Sequence, residues 1–354
     1  MIELGRNVVS EIIPPPKSWR EKILNNPATS ESFHEALESQ SVLSQVEMKN
    51  YSTLSSCDVP ELNVLFWNVE RCKFVPEIAE RLISFSPDIV LLAELDKGMV
   101  RSGNRHTTRE LAEALKMNYI FAVEFLELDL GDKRERTWHK GEHNSEGLHG
   151  GAILSRFPLY DPAVMRLELD GRWFDGELGE RRVGGRIAVV AKIKTRNGPV
   201  TLVSVHYESH DTPEQRAEQT QVMCEQLLEY AADTPWVIGG DFNTNTFPRT
   251  TAVSIPREVK LASLEKDPDR LKNPIPYEPM FPMAKEYGLE WEACNAPGTT
   301  QRTRPDGTPA PPFVKLDWFF TKSAKASGPE ILAAVDSEGN PISDHEILKL
   351  QIQL

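Results

Sequence analysis

The chain has 354 residues, 40% of them hydrophobic, which is enough for one large domain or two ordinary domains with a real core. Its formal net charge of −13 argues against a protein whose main task is to clamp long duplex DNA, because non-specific DNA binding depends on basic surface. The four cysteines are scattered without a CxxC pair and give no sign of a disulfide framework.

The first sixty residues differ in character from the rest. The stretch MIELGRNVVSEIIPPPKSW lacks a basic segment followed by an apolar run, and no stretch reaches the length of a membrane span, so we expect a soluble cytoplasmic protein. TSESFHEALESQSVLSQVEMK predicts a helix with Phe33 and Leu37 on one side. We therefore predict a helical extension over residues 1–60 and a main domain over residues 61–354.

Strand-like segments dominate the main domain. In chain order they are LNVLFWNV, DIVLLAEL, YIFAVEF, GGAILSRFPL, RIAVVAKIKT, VTLVSVHYES, WVIGGD, VKLDWFF and HEILKLQIQL. Helices are predicted at VPEIAERLISFSP, at TTRELAEALK with a capping box from Thr107 to Glu110, and at TPEQRAEQTQVMCEQLLEYAA with Thr212 as its N-cap. Since strands outnumber helices and only some connections are helical, the predicted fold class is α/β, with two packed mixed sheets flanked by helices.

Acidic, amide or imidazole side chains recur at six strand ends or starts. They are Asn68 with Glu70, Glu94, His206, Asp241 with Asn243, Asp317, and Asp344 with His345. Charged groups are costly to bury unless they are paired or bind a metal. We therefore expect these side chains to converge at one rim of the sheets.

This set of residue types suits phosphoester hydrolysis. Several carboxylates with an amide, and no cysteine cluster, describe an oxygen-rich site for Mg²⁺ or Mn²⁺ rather than for zinc. His345 lies beside Asp344 and has Asp317 as an orienting partner, which is the setting of a general base or a phosphate-stabilising imidazole. His206 and Asn243 can donate hydrogen bonds to phosphate oxygens.

Seven motifs occur in an order that resembles the endonuclease/exonuclease/phosphatase superfamily. They are WNVE, AE, GGAILSRFPL, VHYES, GGDFNTNT, KLDWFF and SDHEIL, and they cover roughly Leu62 to Leu354. The resemblance implies a four-layer α/β sandwich and divalent-metal-dependent phosphoester hydrolysis. It also implies that residues 61–354 form the catalytic domain.

The resemblance assigns metal binding chiefly to Glu94. Asn68 and Glu70 would lie close to the same metal, and Asp344 would lie beside that site.

The resemblance assigns the chemical step to five other residues. His206 and Asn243 would hold the scissile phosphate, and Asp317 would orient His345. Asp241 would position or deprotonate the attacking water, or protonate the leaving group.

The segment before GGAILSR allows two interpretations. His139, His143 and His149, with Glu142 and Glu146, could form a second metal site. The glycines among them argue against one rigid face, so we favour a substrate-facing loop in which His149 approaches the active site.

Positive charge is concentrated in the same region. It comes from Arg101, Arg105, Lys133, Arg134, Arg136, Arg181, Arg182 and Arg186. These residues form either a solvated face or a device that steers an anionic substrate, and Arg186 is the candidate for substrate binding.

The most concrete interpretation is a Mg²⁺- or Mn²⁺-dependent phosphoester hydrolase, most simply a phosphodiesterase, in which water attacks phosphorus. The acidic balance favours a small diester, a phosphorylated metabolite or a single-stranded nucleic acid over duplex DNA. A DNA or RNA nuclease is the alternative among enzymes, and a non-catalytic binding protein on the same scaffold is the alternative outside them. The position of the proline-rich segment 248–312 distinguishes the nuclease from the other candidates, because a cleft closed by this segment cannot admit long nucleic acid.

Overall fold

Two β-sheets lie face to face at the centre of the fold, which a computed structural model describes for residues 4–249, 255–302 and 313–354. The strands in these residues are β1 (Asn7–Val9), β2 (Gln45–Lys49), β3 (Glu61–Asn68), β4 (Ile89–Lys97), β5 (Asn118–Glu127), β6 (Leu148–Ser155), β7 (Tyr160–Arg166), β8 (Arg182–Gly184), β9 (Ile187–Thr195), β10 (Gly198–His206), β11 (Trp236–Asp241), β12 (Asp317–Lys322), β13 (Lys325–Leu332) and β14 (Ile347–Gln353). The larger sheet has the order β1-β2-β5-β6-β4-β3-β14-β13, with β8 paired to β5, and the smaller has the order β12-β11-β10-β9-β7.

Helices cover the outer faces of both sheets. They are α1 (Lys17–Asn25), α2 (Ser30–Glu38), α3 (Val75–Ser84), α4 (Thr107–Leu115), α5 (Lys133–Trp138), α6 (Pro213–Ala231), α7 (Arg257–Lys266) and α8 (Met280–Glu286). In the described residues, no helix combines the length and the apolar character needed to cross a bilayer.

Alternation along the strands builds three apolar layers. In β3, Val64 and Phe66 pack between the sheets, whereas Leu65 and Trp67 join the core under α3 and α4. In β11, Val237 faces the other sheet, and the flanking apolar residues pack under α6 and α8. Full burial of one such side chain stabilises the fold by about 1.5–3 kcal/mol. The predicted four-layer α/β sandwich is confirmed.

Two of the three parallel strand pairs decide where the site lies. β3 pairs with β4, and β10 pairs with β11 so that His206 stands opposite Asp241. The start of β12 then places Asp317 opposite Asp241. Because the carboxyl ends of parallel strands meet at one edge, the polar strand ends converge there.

The N-terminal segment adds strands as well as helices to the fold. The prediction of one helix over TSESFHEALESQSVLSQVEMK is wrong in its second half, where β2 pairs with β1 and β5. The reason is Glu47, a fully buried side chain that bonds to His106 and Tyr119 and so ties the segment to the sheet. The division of the chain at residue 60 stays a prediction.

The two predicted helix starts have different outcomes. Thr212 caps α6 as expected, in a capping box with Gln215. The capping box predicted from Thr107 is wrong, because His106 is the N-cap of α4 and the hydroxyl of Thr107 donates to the carbonyl oxygen of Asp96.

Candidate active site

A cleft with a volume of about 400 Å³ opens at the edge where the strand ends meet. Eight of the eleven sequence-predicted site residues line it: Glu94, His149, Arg186, His206, Asp241, Asn243, Asp344 and His345. Asn68 and Asp317 are fully buried beside it. The structure therefore brings the predicted set together, with Glu70 at its margin.

Asp241 occupies the centre of this set. Its Oδ2 lies 3.7 Å from Nε2 of His206 and 3.7 Å from Nε2 of His345. Its Oδ1 accepts the backbone N–H of Asn243 at 2.9 Å, and Asn68 donates to Oδ2 at 3.1 Å. The carboxylate is thus held on one side and faces two imidazoles on the other.

The first imidazole, that of His345, contacts the carboxylate of Asp317. Nδ1 of His345 lies 2.8 Å from Oδ2 of Asp317, which directs Nε2 towards Asp241. Burial alone would lower the pKa of His345, but Asp317, Asp344 and Asp241 raise it well above its usual value. Burial, with a contribution from Asp241, raises the pKa of Asp317 to about 6. The surrounding carboxylates therefore favour the protonated, donor form of His345.

The second imidazole is oriented by Glu124, a residue that the sequence reasoning missed. Nδ1 of His206 lies 3.3 Å from Oε2 of Glu124, which is fully buried in β5. Arg186 bonds to Glu124 and Glu208, and its Nη1 lies 3.1 Å from Nδ1 of His206. Burial alone would raise the pKa of Glu124, but the charges of His206 and Arg186 lower it to about 2. Two carboxylate–imidazole pairs therefore flank Asp241.

Asn243 follows Asp241 in a left-handed conformation, with φ of 50°. Its Nδ2 donates to the carbonyl oxygen of Tyr207 at 2.9 Å. A carboxamide nitrogen carries two hydrogens, so one N–H remains for a ligand in the cleft.

Carboxylates crowd the end of the cleft next to Glu94. Glu94 has φ of 59° at an irregularity in the pairing of β4 with β6, and this turns its side chain towards Asn68, which donates to it at 3.0 Å. Burial raises the pKa of Asp344 to about 7, and the charges of Glu70 and Glu94 add to the rise. Carboxylates that repel one another in this way fit a divalent cation, which prefers oxygen ligands.

Asn68 and Glu70 are less clearly placed to bind a metal than Glu94 and Asp344. In the structure Oδ1 of Asn68 accepts the backbone N–H of Glu70, and its Nδ2 faces the carboxylates. The side chain of Glu70 accepts from Lys73 at 2.6 Å and is not part of the cleft lining. Ligation by Asn68 and Glu70 stays a prediction.

His149 is held by a third carboxylate. Its Nδ1 lies 2.8 Å from Oδ1 of Asp96, which also accepts two hydrogen bonds from Arg101. His139 instead lies near the surface, 3.2 Å from Glu142. The second metal site at the loop histidines stays a prediction.

The concentrated positive charge divides into two groups. Arg101, Arg182 and Arg186 are buried and ion-paired, whereas Arg105 and Arg134 are exposed. These side chains therefore form neither one solvated face nor an open basic groove.

The proline-rich segment supplies part of one cleft wall. Arg249, Leu271 and Gln301 of this segment line the cleft, and so do Phe313 and Val314 directly after it. Most of the stretch RTRPDGTPAPP, residues 303–312, lies outside the described residues.

Comparison with known proteins decides the family. The family model described as "Endonuclease/Exonuclease/phosphatase family" matches residues 65–345, well over half of the chain. The chain belongs to the endonuclease/exonuclease/phosphatase family. Members of this family are hydrolases that act on phosphoesters, and as a family they use divalent metals. A comparison with curated proteins finds no match.

Solved structures of this family share the fold. The chain is similar to an endonuclease/exonuclease/phosphatase from Beutenbergia cavernae DSM 12333, with 20% identity over 84% of this chain and 72% of that one, at a TM-score of 0.54. It is also similar to one from Bacteroides vulgatus, with 15% identity over 83% and 99% of the chains and a TM-score of 0.54. A mannosyl-6-phosphatase from Bacteroides thetaiotaomicron matches with 16% identity over 83% and 100%, at a TM-score of 0.52. At these identities the likeness concerns the fold alone.

Proposed function

We propose that the protein is a Mg²⁺- or Mn²⁺-dependent hydrolase of small phosphodiesters. One observation carries the proposal: Oδ2 of Asp241 lies 3.7 Å from Nε2 of both His206 and His345, beside the carboxylates of Glu94 and Asp344. A carboxylate between two imidazoles, beside an oxygen-rich cluster, supports a mechanism in which water attacks phosphorus.

Each residue has a role in this proposal. Glu94 and Asp344, with Asn68 nearby, would hold the metal, which when bound supplies charge neutralisation and Lewis acidity. His206, His345 and the free N–H of Asn243 donate to the non-bridging phosphate oxygens.

The proton of water has an acceptor in Asp241. The bond from the water oxygen to phosphorus forms as the P–O ester bond breaks, and Asp241 takes the proton of the water. The leaving oxygen then takes a proton from solvent. Asp241 is held by Asn243 and Asn68, so it is already oriented before substrate arrives.

The substrate is expected to be small. A cleft of about 400 Å³ accepts a small diester, and three of the four arginines that line it, Arg71, Arg182 and Arg186, are already ion-paired. A nuclease that grips long DNA needs unpaired basic surface. The non-catalytic alternative is disfavoured because all the charged members of the site are present.

Hydrolysis of bis(p-nitrophenyl) phosphate tests the proposal. Wild type is expected to cleave it only with Mg²⁺ or Mn²⁺ and to stop in EDTA, whereas Asp241→Asn should lose about 10³-fold in kcat, since an amide cannot accept the proton. Asp233→Asn, at an exposed surface position, is the matched control and should behave as wild type.

Three results would contradict parts of the proposal. Faster turnover of p-nitrophenyl phosphate would redirect it to monoesters, and full activity of Asp241→Asn would remove Asp241 from the chemistry. Inertness of both esters under all metal conditions would favour the binding-protein alternative.

A further inference from the structure

The proposed function leaves one group of cleft-lining residues without a role. These are Arg71, His149, Trp173, Glu180 and Arg182, which we call the polar subsite. All five line the same cleft as Asp241, but none of them is one of the two imidazoles or of the carboxylates around Glu94.

The backbone that presents Arg71 is strained. Glu70, Arg71 and Cys72 follow one another with φ of 44°, 65° and 53°, and none is glycine. A left-handed conformation costs a non-glycine residue roughly 1–2 kcal/mol. Such strain persists only where the surroundings impose it, and it concentrates at functional sites.

The ends of the Arg71 side chain are fixed. Its Nη2 donates to Glu180 at 2.7 Å, and its Nε lies 3.1 Å from Glu135. Arg182 also bonds to Glu180, and its guanidinium lies 4.4 Å from the centroid of the Trp173 ring. The subsite is therefore preorganised, which reduces the entropy that a ligand must lose.

The guanidiniums of the subsite face the cleft with only part of their surface. Nε of Arg71 and Nε of Arg182 are buried beside carboxylate oxygens 3.1 and 3.4 Å away, so a ligand can reach only the cleft-lining part of each group. Nδ1 of His149 is held by Asp96, so its Nε2 is the nitrogen left for a ligand. Because Nδ1 donates to Asp96, Nε2 is an acceptor in the neutral ring.

The charges of the subsite cancel. Its guanidiniums belong to one ion-pair network that contains Arg71, Arg101 and Arg182 on one side and Asp96, Glu127, Glu135 and Glu180 on the other. Three cations against four carboxylates give a formal charge of −1, which offers no attraction to a second phosphate or carboxylate. What the network offers is guanidinium donors, a carboxylate and an imidazole acceptor, and an aromatic edge, all at fixed positions.

We propose that the polar subsite binds a neutral, polyhydroxylated substituent of the substrate, such as a sugar or polyol attached to the phosphate. This inference rests on the proposed function and names the substrate class of the same cleft. Hydroxyl groups both donate and accept, so they match a site that presents both kinds of partner without net charge. Arg71 and His149 are then specificity-determining residues.

Two matched diesters test the inference. One joins p-nitrophenyl phosphate to the 6-hydroxyl of a hexose, and the other joins it to cyclohexylmethanol, so the ring and the linker are alike and only the hydroxyls differ. Both release p-nitrophenolate, and a difference in kcat/KM therefore reports recognition of the other substituent. Wild type is expected to prefer the hexose diester by at least about tenfold, because a site built for hydroxyls discriminates against an analogue that lacks them.

Arg71→Lys and His149→Phe are the informative variants. Lysine keeps the charge but loses the planar fork, and phenylalanine keeps the ring while Asp96 remains paired with Arg101. Both are expected to bring the ratio of the two kcat/KM values close to one. The ratio is measured on a single preparation, so partial unfolding cancels, and Arg105→Lys, at an exposed side chain, should keep the wild-type ratio.

The outcomes separate the two proposals. Equal kcat/KM for the two diesters in wild type would overturn the subsite while bis(p-nitrophenyl) phosphate hydrolysis upheld the proposed function. A wild-type preference that survives both substitutions would overturn the assignment to Arg71 and His149. Faster turnover of a diester that carries a carboxylate than of the hexose diester would overturn the proposal of a neutral substituent. Inertness of every diester would overturn the proposed function and the inference together.

Discussion

Two clusters of charged side chains in this protein differ in how fully their hydrogen bonds are satisfied. Under the N-terminal segment, Glu47 is fully buried and accepts four hydrogen bonds, from the N–H of Ile12 at 2.8 Å, Tyr119 at 2.6 Å, His106 at 2.7 Å and Lys97 at 3.3 Å. We call this the Glu47 cluster. Its members complete one another's hydrogen bonds, and it lies outside the cleft.

The cleft shows the opposite pattern. Asp241 is 2% exposed, yet the imidazoles of His206 and His345 stop 3.7 Å away, beyond hydrogen-bonding distance. Among the described residues, the side-chain donors nearest to Asp344 are Gln301 at 3.4 Å and His345 at 3.9 Å. Burial of charge alone does not indicate function. Charged groups that lack hydrogen-bond partners at the mouth of a cleft do indicate function, because a ligand can supply the missing hydrogen bonds.

A single conservative substitution can test whether the Glu47 cluster stabilises the fold. Glu47→Gln is expected to lower the free energy of unfolding by about 3 kcal/mol, because Lys97 and His106 stay buried beside an uncharged amide. Urea unfolding measures the loss. Turnover per folded molecule should stay near that of wild type, since the cluster does not reach the cleft.

Controls fix the interpretation of that loss. Glu35→Gln, on the exposed side of α2, should leave the unfolding curve unchanged. Adding Lys97→Met to Glu47→Gln should recover part of the stability, because it removes a buried ammonium whose other carboxylate partner, Glu146, is partly exposed. A Glu47→Gln protein as stable as wild type would show that the cluster is not a structural element.

The rim of the cleft was predictable from the sequence because it follows from local patterns. Apolar runs with β-branched residues predicted the strands, and polar residues such as Asp241 and His206 stood at their ends. Adjacent parallel strands end at the same edge, so the strand ends had to converge.

Partners that meet only in three dimensions could not be predicted. Glu124 lies inside the apolar strand YIFAVEF, just as Asp317 stands in VKLDWFF, but its partner His206 is 82 residues away. A charged residue in an apolar run was the available signal, and it applies to Glu47 as well, whose segment was predicted as helix. The left-handed turn at Arg71 has no local sequence sign, since it contains no glycine.

The orientation of His206 by Glu124 inside the cleft can be tested in the same way. Glu124→Gln is expected to lower kcat/KM for bis(p-nitrophenyl) phosphate by about 10–100-fold, because it loosens the orientation of His206. Glu208→Gln is the matched control, since it also removes a partner of Arg186 but does not contact His206. Glu124 is a positioning residue in this account, and equal losses in the two variants would assign the effect to Arg186 instead.

The pH dependence of activity distinguishes a role of Glu124 in orienting His206 from a purely structural role. Burial alone would lower the pKa of His206, but Glu124 raises it above its usual value. Without the carboxylate the pKa of His206 should fall, so the alkaline limb of the activity profile should move to lower pH in Glu124→Gln.

The smallest expected effect is the acid dependence of the Glu47 cluster. Burial alone would raise the pKa of Glu47, but hydrogen bonds from His106 and Tyr119 lower it far below its usual range. A carboxyl whose pKa is depressed by folding stabilises the protein above its unfolded pKa, about 4.3, and loses that contribution as the pH falls further. The gap in unfolding free energy between wild type and Glu47→Gln should therefore narrow as the pH falls below about 4, while Glu35→Gln shows no such narrowing. A gap of the same size at about pH 3 as at pH 7 would mean that Glu47 contributes through its shape and hydrogen bonds rather than through its charge, and the contrast with the cleft would then concern packing instead of electrostatics.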